Sequence, residues 1–310
     1  MSLVITLATR GRAEKLCNTI DRSIVNWTDP RTQLWVMADA DDPQTAEWVD
    51  RRKSEAWGDR VQLSVRDRED TIGAKWNRAC SIPADVYLVA ADDDPYITPG
   101  YDAKVLEAAK RFPDGIGMVY GRMANASFSG AVCPTAGLVR KMGGQIFPEH
   151  FPYWFVDHWT DDVARLIGRI SFADIQTDQS AVGKTQELRE PAWWATFFDC
   201  GYLRRRDRAH SIITDPEFQE PEWRKEILLT HHPLIEYRSR WINDNVRANA
   251  KQLEGWSGLT LKEPRYQRLR AKAVETVSLL VYGMPEAEAE AWRNTLVPAT
   301  TIPALKMVGT

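Results

Sequence analysis

The run Val86-Tyr87-Leu88-Val89-Ala90-Ala91 is almost uninterrupted in its apolar character, and it constrains the fold more than any other segment. A strand apolar on both faces must be covered on both faces, which is the condition of a central strand in a parallel sheet. The flanking pattern agrees. Leu3-Val4-Ile5-Thr6-Leu7-Ala8 is a short β-rich run punctuated by Gly11, and Leu16, Ile20 and Ile24 then recur every fourth residue across 12–26, as one face of a helix does. Leu34-Trp35-Val36-Met37 reads as a second strand, and Asp42-Pro43 starts a helix that runs to about Trp57. Val61-Gln62-Leu63-Ser64-Val65 alternates as a third strand, residues 73–81 read as helix, Pro99 to Arg111 as helix, and Gly117-Met118-Val119-Tyr120 as strand. Strands alternating with crossover helices predict an α/β fold, a mostly parallel sheet flanked by helices and joined by right-handed connections. Ligands in such sheets bind at the carboxyl ends of the strands.

The second half has less periodicity. Residues 176–225 are rich in charge, Trp and Pro and read as a long irregular segment or lid. Helical patterns return from about residue 217, at Trp241 to Leu253, Pro264 to Tyr282 and Pro285 to Leu296. The expected organisation is therefore a ligand-binding domain over 1–215 and a helical C-terminal extension over 216–310.

Composition removes several function classes. Lys and Arg number 40 against 43 Asp and Glu, without the basic surplus of a nucleic-acid-binding chain. No stretch approaches the ~20 apolar residues of a membrane span, and the opening MSLVITLATRGR is too short in its apolar run for a secretion signal. The four cysteines are scattered and form no CxxC pair, which fits free thiols in a reducing, cytoplasmic setting rather than a zinc cluster.

The chemistry concentrates after the apolar strand, at Asp92-Asp93-Asp94-Pro95. Residues two apart in extended chain point the same way, so Asp92 and Asp94 are expected to face one cleft. Such close carboxylates repel unless a cation lies between them. Hard oxygen donors suit Mg²⁺ or Mn²⁺, which completes its shell with water and substrate phosphate. The plain alternative is a solvated acidic turn before Pro95.

A strand-ending DDD, with Thr9-Arg10 after the first strand and Asp39 after the second, resembles the family 2 glycosyltransferases of the GT-A fold. Gly73-Ala74-Lys75-Trp76-Asn77-Arg78-Ala79 is similar to that family's short helix before the metal strand, and the resemblance covers roughly residues 3–175. It implies a divalent-metal-dependent, inverting transfer from a nucleoside-diphosphate sugar, with a UDP-sugar favoured, to a hydroxyl of a carbohydrate or other acceptor. Thr9, Arg10 and Asp39 would line the nucleotide pocket, with Asp39 on base or ribose. Lys75 would reach phosphate or lie exposed on its helix, and Asn77 is the helix residue that carries over. Asp92 would contact ribose or metal, Asp93 would contact the nucleotide-sugar, and Asp94 would hold the metal.

A second acidic pair, Asp161-Asp162, follows Thr160 in the pattern of a helix N-terminus with Thr160 as cap. The resemblance makes it the catalytic pair, with Asp162 favoured over Asp161 as the base that takes the acceptor proton. The segment Ser129 to Gly137 is similar to the glycine-containing loop beneath the donor sugar, with Gly137 at its end. His231-His232 is the candidate source of a further metal ligand, with His232 named first. Arg204-Arg205-Arg206-Asp207-Arg208 reads as a solvated charged face or a diphosphate clamp. Two other functions stay open on the sequence: a nucleotidyltransferase on a related sheet, for which Thr9-Arg10-Gly11-Arg12 is a poor phosphate loop, and a non-catalytic nucleotide- or carbohydrate-binding protein.

Overall fold

A computed structural model of the chain describes residues 1–122, 131–178, 194, 197, 198 and 201–230. Four parallel strands form the first sheet: β1 (Leu3–Ala8), β2 (Gln33–Asp39), β3 (Val61–Arg66) and β4 (Val86–Ala91), in spatial order β3-β2-β1-β4. Register runs without a break, with Leu3 opposite Val86 and Ala8 opposite Ala91 across β1 and β4. The crossovers are α1 (Ala13–Ile24), α2 (Pro43–Arg52) and α3 (Ile72–Asn77), and α4 (Tyr101–Ala109) follows β4. The expected α/β fold with a mostly parallel sheet is present.

The β1 side chains show why the sheet must be covered twice. All six are buried. Leu3, Ile5 and Leu7 join one core with Leu16, Cys17 and Ile20 of α1 and Val105 and Leu106 of α4. Val4 points into the other core, with Met37 and Tyr87 from the adjacent strands. Period-two alternation thus feeds two apolar layers, one on each face.

Helix starts follow local chemistry. Asp42 caps α2, its carboxylate accepting from the Thr45 hydroxyl at 2.6 Å, with Pro43 in the first turn. Thr71 caps α3 by accepting from the Ala74 amide at 3.1 Å. The helix expected to run from Pro43 to Trp57 ends regularly at Arg52 and continues as a wider turn over Lys53–Trp57.

A second sheet continues the first. Strands β5 (Met118–Arg122), β6 (Val132–Pro134) and β7 (Ile170–Gln176) lie in the order β6-β5-β7, with β5 antiparallel to β6 and parallel to β7. An antiparallel bridge from Val86 to Thr135 ties β4 to the end of β6. The β6 segment falls in the stretch read as a glycine loop. It is three residues long, too short for periodicity to register, and its antiparallel pairing with β5, Val119 opposite Cys133, makes it a strand.

Helices α5 (Ala136–Lys141) and α6 (Val156–Leu166) flank this sheet. Two expectations are corrected beyond β6. First, Thr160 is not a helix cap. Helix α6 begins four residues earlier at Val156, because Val156, Trp159, Val163 and Ile167 form one buried stripe at helical spacing. Phe155 precedes it with φ 70°, in the left-handed region, and the Thr160 hydroxyl donates to the Ile146 carbonyl at 2.7 Å. Second, part of the stretch read as irregular is helical, since α7 spans Tyr202–Ile213. Its buried face is Arg205, Ala209, Ile212 and Ile213. A buried arginine hid the apolar stripe from a hydropathy reading. Helix α8 (Glu222–Thr230) follows, and Phe218 between them is buried in the core beside α6. The helical patterns beyond residue 230, and His231 and His232, lie outside the described residues. No helix among the described residues is long and apolar enough to cross a membrane. Cys17, Cys80 and Cys133 are free thiols.

Candidate functional site

The carboxyl ends of β1, β2 and β4 open into one cleft of about 230 Å³. The first strand supplies Thr9, Arg10 and Arg12 from the loop that follows it, the second supplies Asp39, and the fourth supplies Asp92 and Asp93. A parallel sheet delivers these residues together because every strand ends on the same side. The wall opposite is Arg68, Asp70, Thr71 and Tyr153, with Lys75 and Trp76 of α3.

Asp39 is 1% exposed and surrounded by cations. Lys75 Nζ lies 2.7 Å from its Oδ2, Arg10 Nη1 3.2 Å from the same oxygen, and Arg78 Nη2 3.5 Å from Oδ1. Lys75 also donates to the Thr9 carbonyl at 2.9 Å. Burial pushes the Lys75 ammonium below its ordinary range, against the upward pull of Asp39. Lys75 is therefore an internal brace between β1 and β2 rather than an exposed helical residue. Arg10 also forks onto Asp41, at 2.5 and 2.9 Å, and this bonding raises its pKa.

Asp92 is the pivot of the other half. Its Oδ2 accepts from the Thr9 hydroxyl at 2.7 Å, its Oδ1 lies 3.1 Å from Arg12 Nη2, and its backbone carbonyl accepts from Thr19 at 2.9 Å. Arg12 pairs with Asp93 as well. Burial pushes the Asp92 carboxyl up to about 6, with Arg12 and Thr9 opposing. Asp94 is half-buried, follows the turn made by Asp92 and Asp93, and does not line the cleft.

Two carboxylates converging on one guanidinium make a place that accepts positive charge. Such a donor set suits a hard divalent ion that takes one or two carboxylates and completes its shell from phosphate and water. Among the described residues no three of His, Cys, Asp and Glu come together as a closed metal cage.

Other expected residues fall elsewhere. Asn77 clamps the segment before α6. Its Oδ1 accepts from the Ile146 and Phe147 amides at 2.9 and 3.0 Å, and its Nδ2 donates to the Phe147 carbonyl at 2.8 Å. Its amide is thereby occupied outside the cleft. Gly137 lies in the first turn of α5, where a Cβ would come within 2.2 Å of the Gly115 carbonyl. That close packing explains the glycine without a ligand. Asp161 and Asp162 sit mid-helix in α6, each 1% exposed. Asp161 accepts from Arg165 Nε at 2.9 Å, and Asp162 Oδ2 lies 3.1 Å from Arg205 Nε. The Arg205 guanidinium also lies over the rings of Phe198 and Trp159, at 3.7 and 5.0 Å from their centroids.

The sequence reading passed over Arg12, Arg78 and Trp76. Arg12 follows Gly11, whose positive φ turns the loop back over the β4 end, and only that turn brings it to Asp92. Arg78 is buried behind the lining, donating to the Ala38 carbonyl at 2.6 Å and pairing with the lining residues Asp39 and Glu69. Trp76 lines the cleft while its indole donates to the Ala90 carbonyl at 3.2 Å.

No protein-family model and no curated protein sequence matches the chain. Solved structures do resemble it. TarS 1-349 from S. aureus, in complex with UDP-GlcNAc, superposes with a TM-score of 0.53 at 14% identity, covering 94% of this chain and 84% of that one. The mannosyltransferase PcManGT from Pyrobaculum calidifontis, in complex with GDP-Man and Mn²⁺, gives 0.51 at 14% identity, covering 91% and 88%. At this identity the likeness establishes a shared α/β fold of the GT-A type.

Proposed function

We propose that the chain is a glycosyltransferase that binds a nucleoside-diphosphate sugar in the cleft between β1, β2 and β4 and transfers the sugar to an acceptor hydroxyl. One observation carries this reading. Carboxylates that end two different strands, Asp39 and Asp92, face one cavity with Arg10, Arg12 and Lys75 between them. Asp39 offers hydrogen-bond acceptors to a base or ribose, and the arginines offer forked donors to a diphosphate. The structural neighbours crystallised with UDP-GlcNAc and with GDP-Man and Mn²⁺ support it.

Asp92, with Asp93 beside it in the cleft lining, would hold a divalent ion, Mn²⁺ or Mg²⁺, which when bound supplies positive charge to the leaving diphosphate, and Asp94 would have to turn inward to join them. The protein's own part is to bind and orient the donor. Thr9 fixes the Asp92 carboxylate, and Arg12, released from Asp92 and Asp93, turns to phosphate. Asp162 remains the proposed base for the acceptor proton, with Asp161 second, in a single inverting displacement. Release of Asp162 from Arg205 is a condition of that role. The tight pairing at that position favours one second reading, a nucleotide-sugar-binding protein without turnover.

Thermal melting against UDP, GDP, dTDP and CMP compounds, with and without Mn²⁺, tests the binding claim. At least one nucleotide should stabilise the fold in the presence of metal, and Asp39→Asn should weaken that effect. If none does, the cleft is not a nucleotide site. Hydrolysis of the stabilising donor in Mn²⁺ then separates enzyme from binder.

A further inference from the structure

A second cavity, of about 470 Å³, opens between α7 and the segment that precedes α6. It falls within the size of small-ligand sites, roughly 300–1,000 Å³. It shares no lining residue with the nucleotide cleft. Arg204, Asp207, Arg208 and Ser211 line it at intervals that place them on one face of α7. The opposite face, Arg205, Ala209 and Ile212, is buried in the core. Gln145, Pro148 and His150 form the facing wall, and Trp159 forms the floor.

The charges here are unlike those nearby. Lys141 is paired with Asp215 and Glu217 at 2.7 and 3.0 Å, and Arg140 with Glu217 at 2.9 Å. Arg204 and Arg208 form no ion pair with a carboxylate among the described residues, and Arg208 makes one hydrogen bond, to the Lys141 carbonyl at 3.2 Å. Asp207 lines the same cavity without pairing to either. Two forked guanidinium groups are therefore presented to one concave space with their donors largely unspent. Guanidinium geometry matches the oxygens of phosphate.

The floor is built as well as charged. Trp159 is 7% exposed and meets His150 edge to face at 6.1 Å. A Cβ on Gly201 would lie 2.6 Å from the Trp159 ring. The absence of a side chain there lets the start of α7 close on the indole.

We propose that this pocket is a second ligand site that binds a phosphate group, separate from the nucleotide cleft. Arg204 and Arg208 would take the phosphate oxygens. Gln145, Asp207 and Ser211 supply donors and acceptors for hydroxyls on the carrier, and the Trp159 floor supplies an apolar surface for a sugar ring. The inference does not depend on the reading of the nucleotide cleft, because the two sites share no residue.

The test is a binding titration of the full chain, followed by phosphorus NMR line broadening and calorimetry, with inorganic phosphate, glucose 6-phosphate and glucose as probes. Both phosphates should bind saturably, and glucose should not at the same concentration. Arg204→Gln and Arg208→Gln should each weaken phosphate binding about tenfold, which corresponds to ~1.4 kcal/mol, with the melting temperature unchanged. Tighter binding of glucose 6-phosphate than of inorganic phosphate identifies an ester on a polyhydroxylated carrier as the ligand, and equal binding identifies the free ion. UDP with Mn²⁺ should leave phosphate binding intact. Displacement by UDP, unchanged affinity in the two folded variants, or no saturation by about 20 mM would overturn the inference. Displacement by UDP alone would also report UDP binding; the other outcomes leave the nucleotide reading untouched, so failure here is separable from failure of that reading.

Discussion

At the scale of single residues, the cleft holds charges that cost stability until a ligand arrives. Asp92 is the clearest case. Its carboxyl titrates near 6 in the fold, above the ordinary 3.8, because burial opposes ionisation. The folded state therefore holds the proton more tightly than the unfolded chain. Between pH 4 and 6 this group makes stability fall as pH rises, and above about 6 the full penalty is in place. At ~1.4 kcal/mol per pKa unit, the penalty is on the order of 3 kcal/mol. Asp92→Asn should therefore raise the melting temperature of the ligand-free protein at pH 7 and flatten its slope between pH 4 and 6. The same variant should lose stabilisation by nucleotide with Mn²⁺. Equal pH slopes in variant and wild type would remove Asp92 as the source.

Asp162 behaves in the opposite way. It faces Arg205, a fully buried cation, so Asp162→Asn removes a counter-charge that lies 3.1 Å from a buried guanidinium. Breaking a buried pair from one side costs about 3–5 kcal/mol. A structural role predicts that Asp162→Asn and Arg205→Met each unfold at markedly lower denaturant, while the double variant recovers part of the loss. A role as base predicts lost transfer with donor binding retained in the folded fraction. Urea melts read beside donor hydrolysis separate the two.

At the scale of elements, the turn into α5 is as constrained as any catalytic loop. Thr135 caps the helix by accepting from the Leu138 amide at 3.3 Å and also bonds Gly117 on the neighbouring turn. Gly137 then packs its bare Cα against the Gly115 carbonyl. That neighbour is backbone and cannot rotate away, so Gly137→Ala must shift α5 or the 115 turn. It should cost on the order of 1–3 kcal/mol, as overpacking does, and leave the affinity of any nucleotide unchanged, since Gly137 does not line the cleft. A loss of nucleotide affinity without loss of stability would restore the donor-sugar role. Periodicity exposed the long elements of the first half because their apolar positions recur. It failed at α7, where Arg205 occupies a core position with its guanidinium over the rings of Phe198 and Trp159. It placed the start of α6 too late, because an acidic pair after a threonine imitates a cap.

At the scale of the whole molecule, two apolar layers enclose β1, which pairs with β2 on one side and β4 on the other. Strand β3 lies at the sheet edge, and Val65 near its end is 45% exposed. Native-state hydrogen exchange should therefore be slowest at β1 amides, approaching the global unfolding free energy, and markedly faster along the outer side of β3. Uniform protection across the sheet would contradict a core centred on β1. The cleft inherits its rigidity from this arrangement, since Thr9, Asp39 and Asp92 each end a strand of that buried sheet.

The alternation of strands and helices, the double burial of Val86–Ala91 and the clustering of acids after it were legible in the sequence. Each depends on residues near one another along the chain. The partners of those acids were not. Arg12 on Asp92, Lys75 on Asp39 and Arg205 on Asp162 join residues 80, 36 and 43 positions apart. Whether a carboxylate meets water, a guanidinium or a ligand depends on burial and on which elements close over it. Sequence determined where negative charge would gather at the strand ends. Only the tertiary structure decided that the first cluster opens into a cleft while the second is sealed against an arginine, because desolvation and pairing are properties of the packed fold.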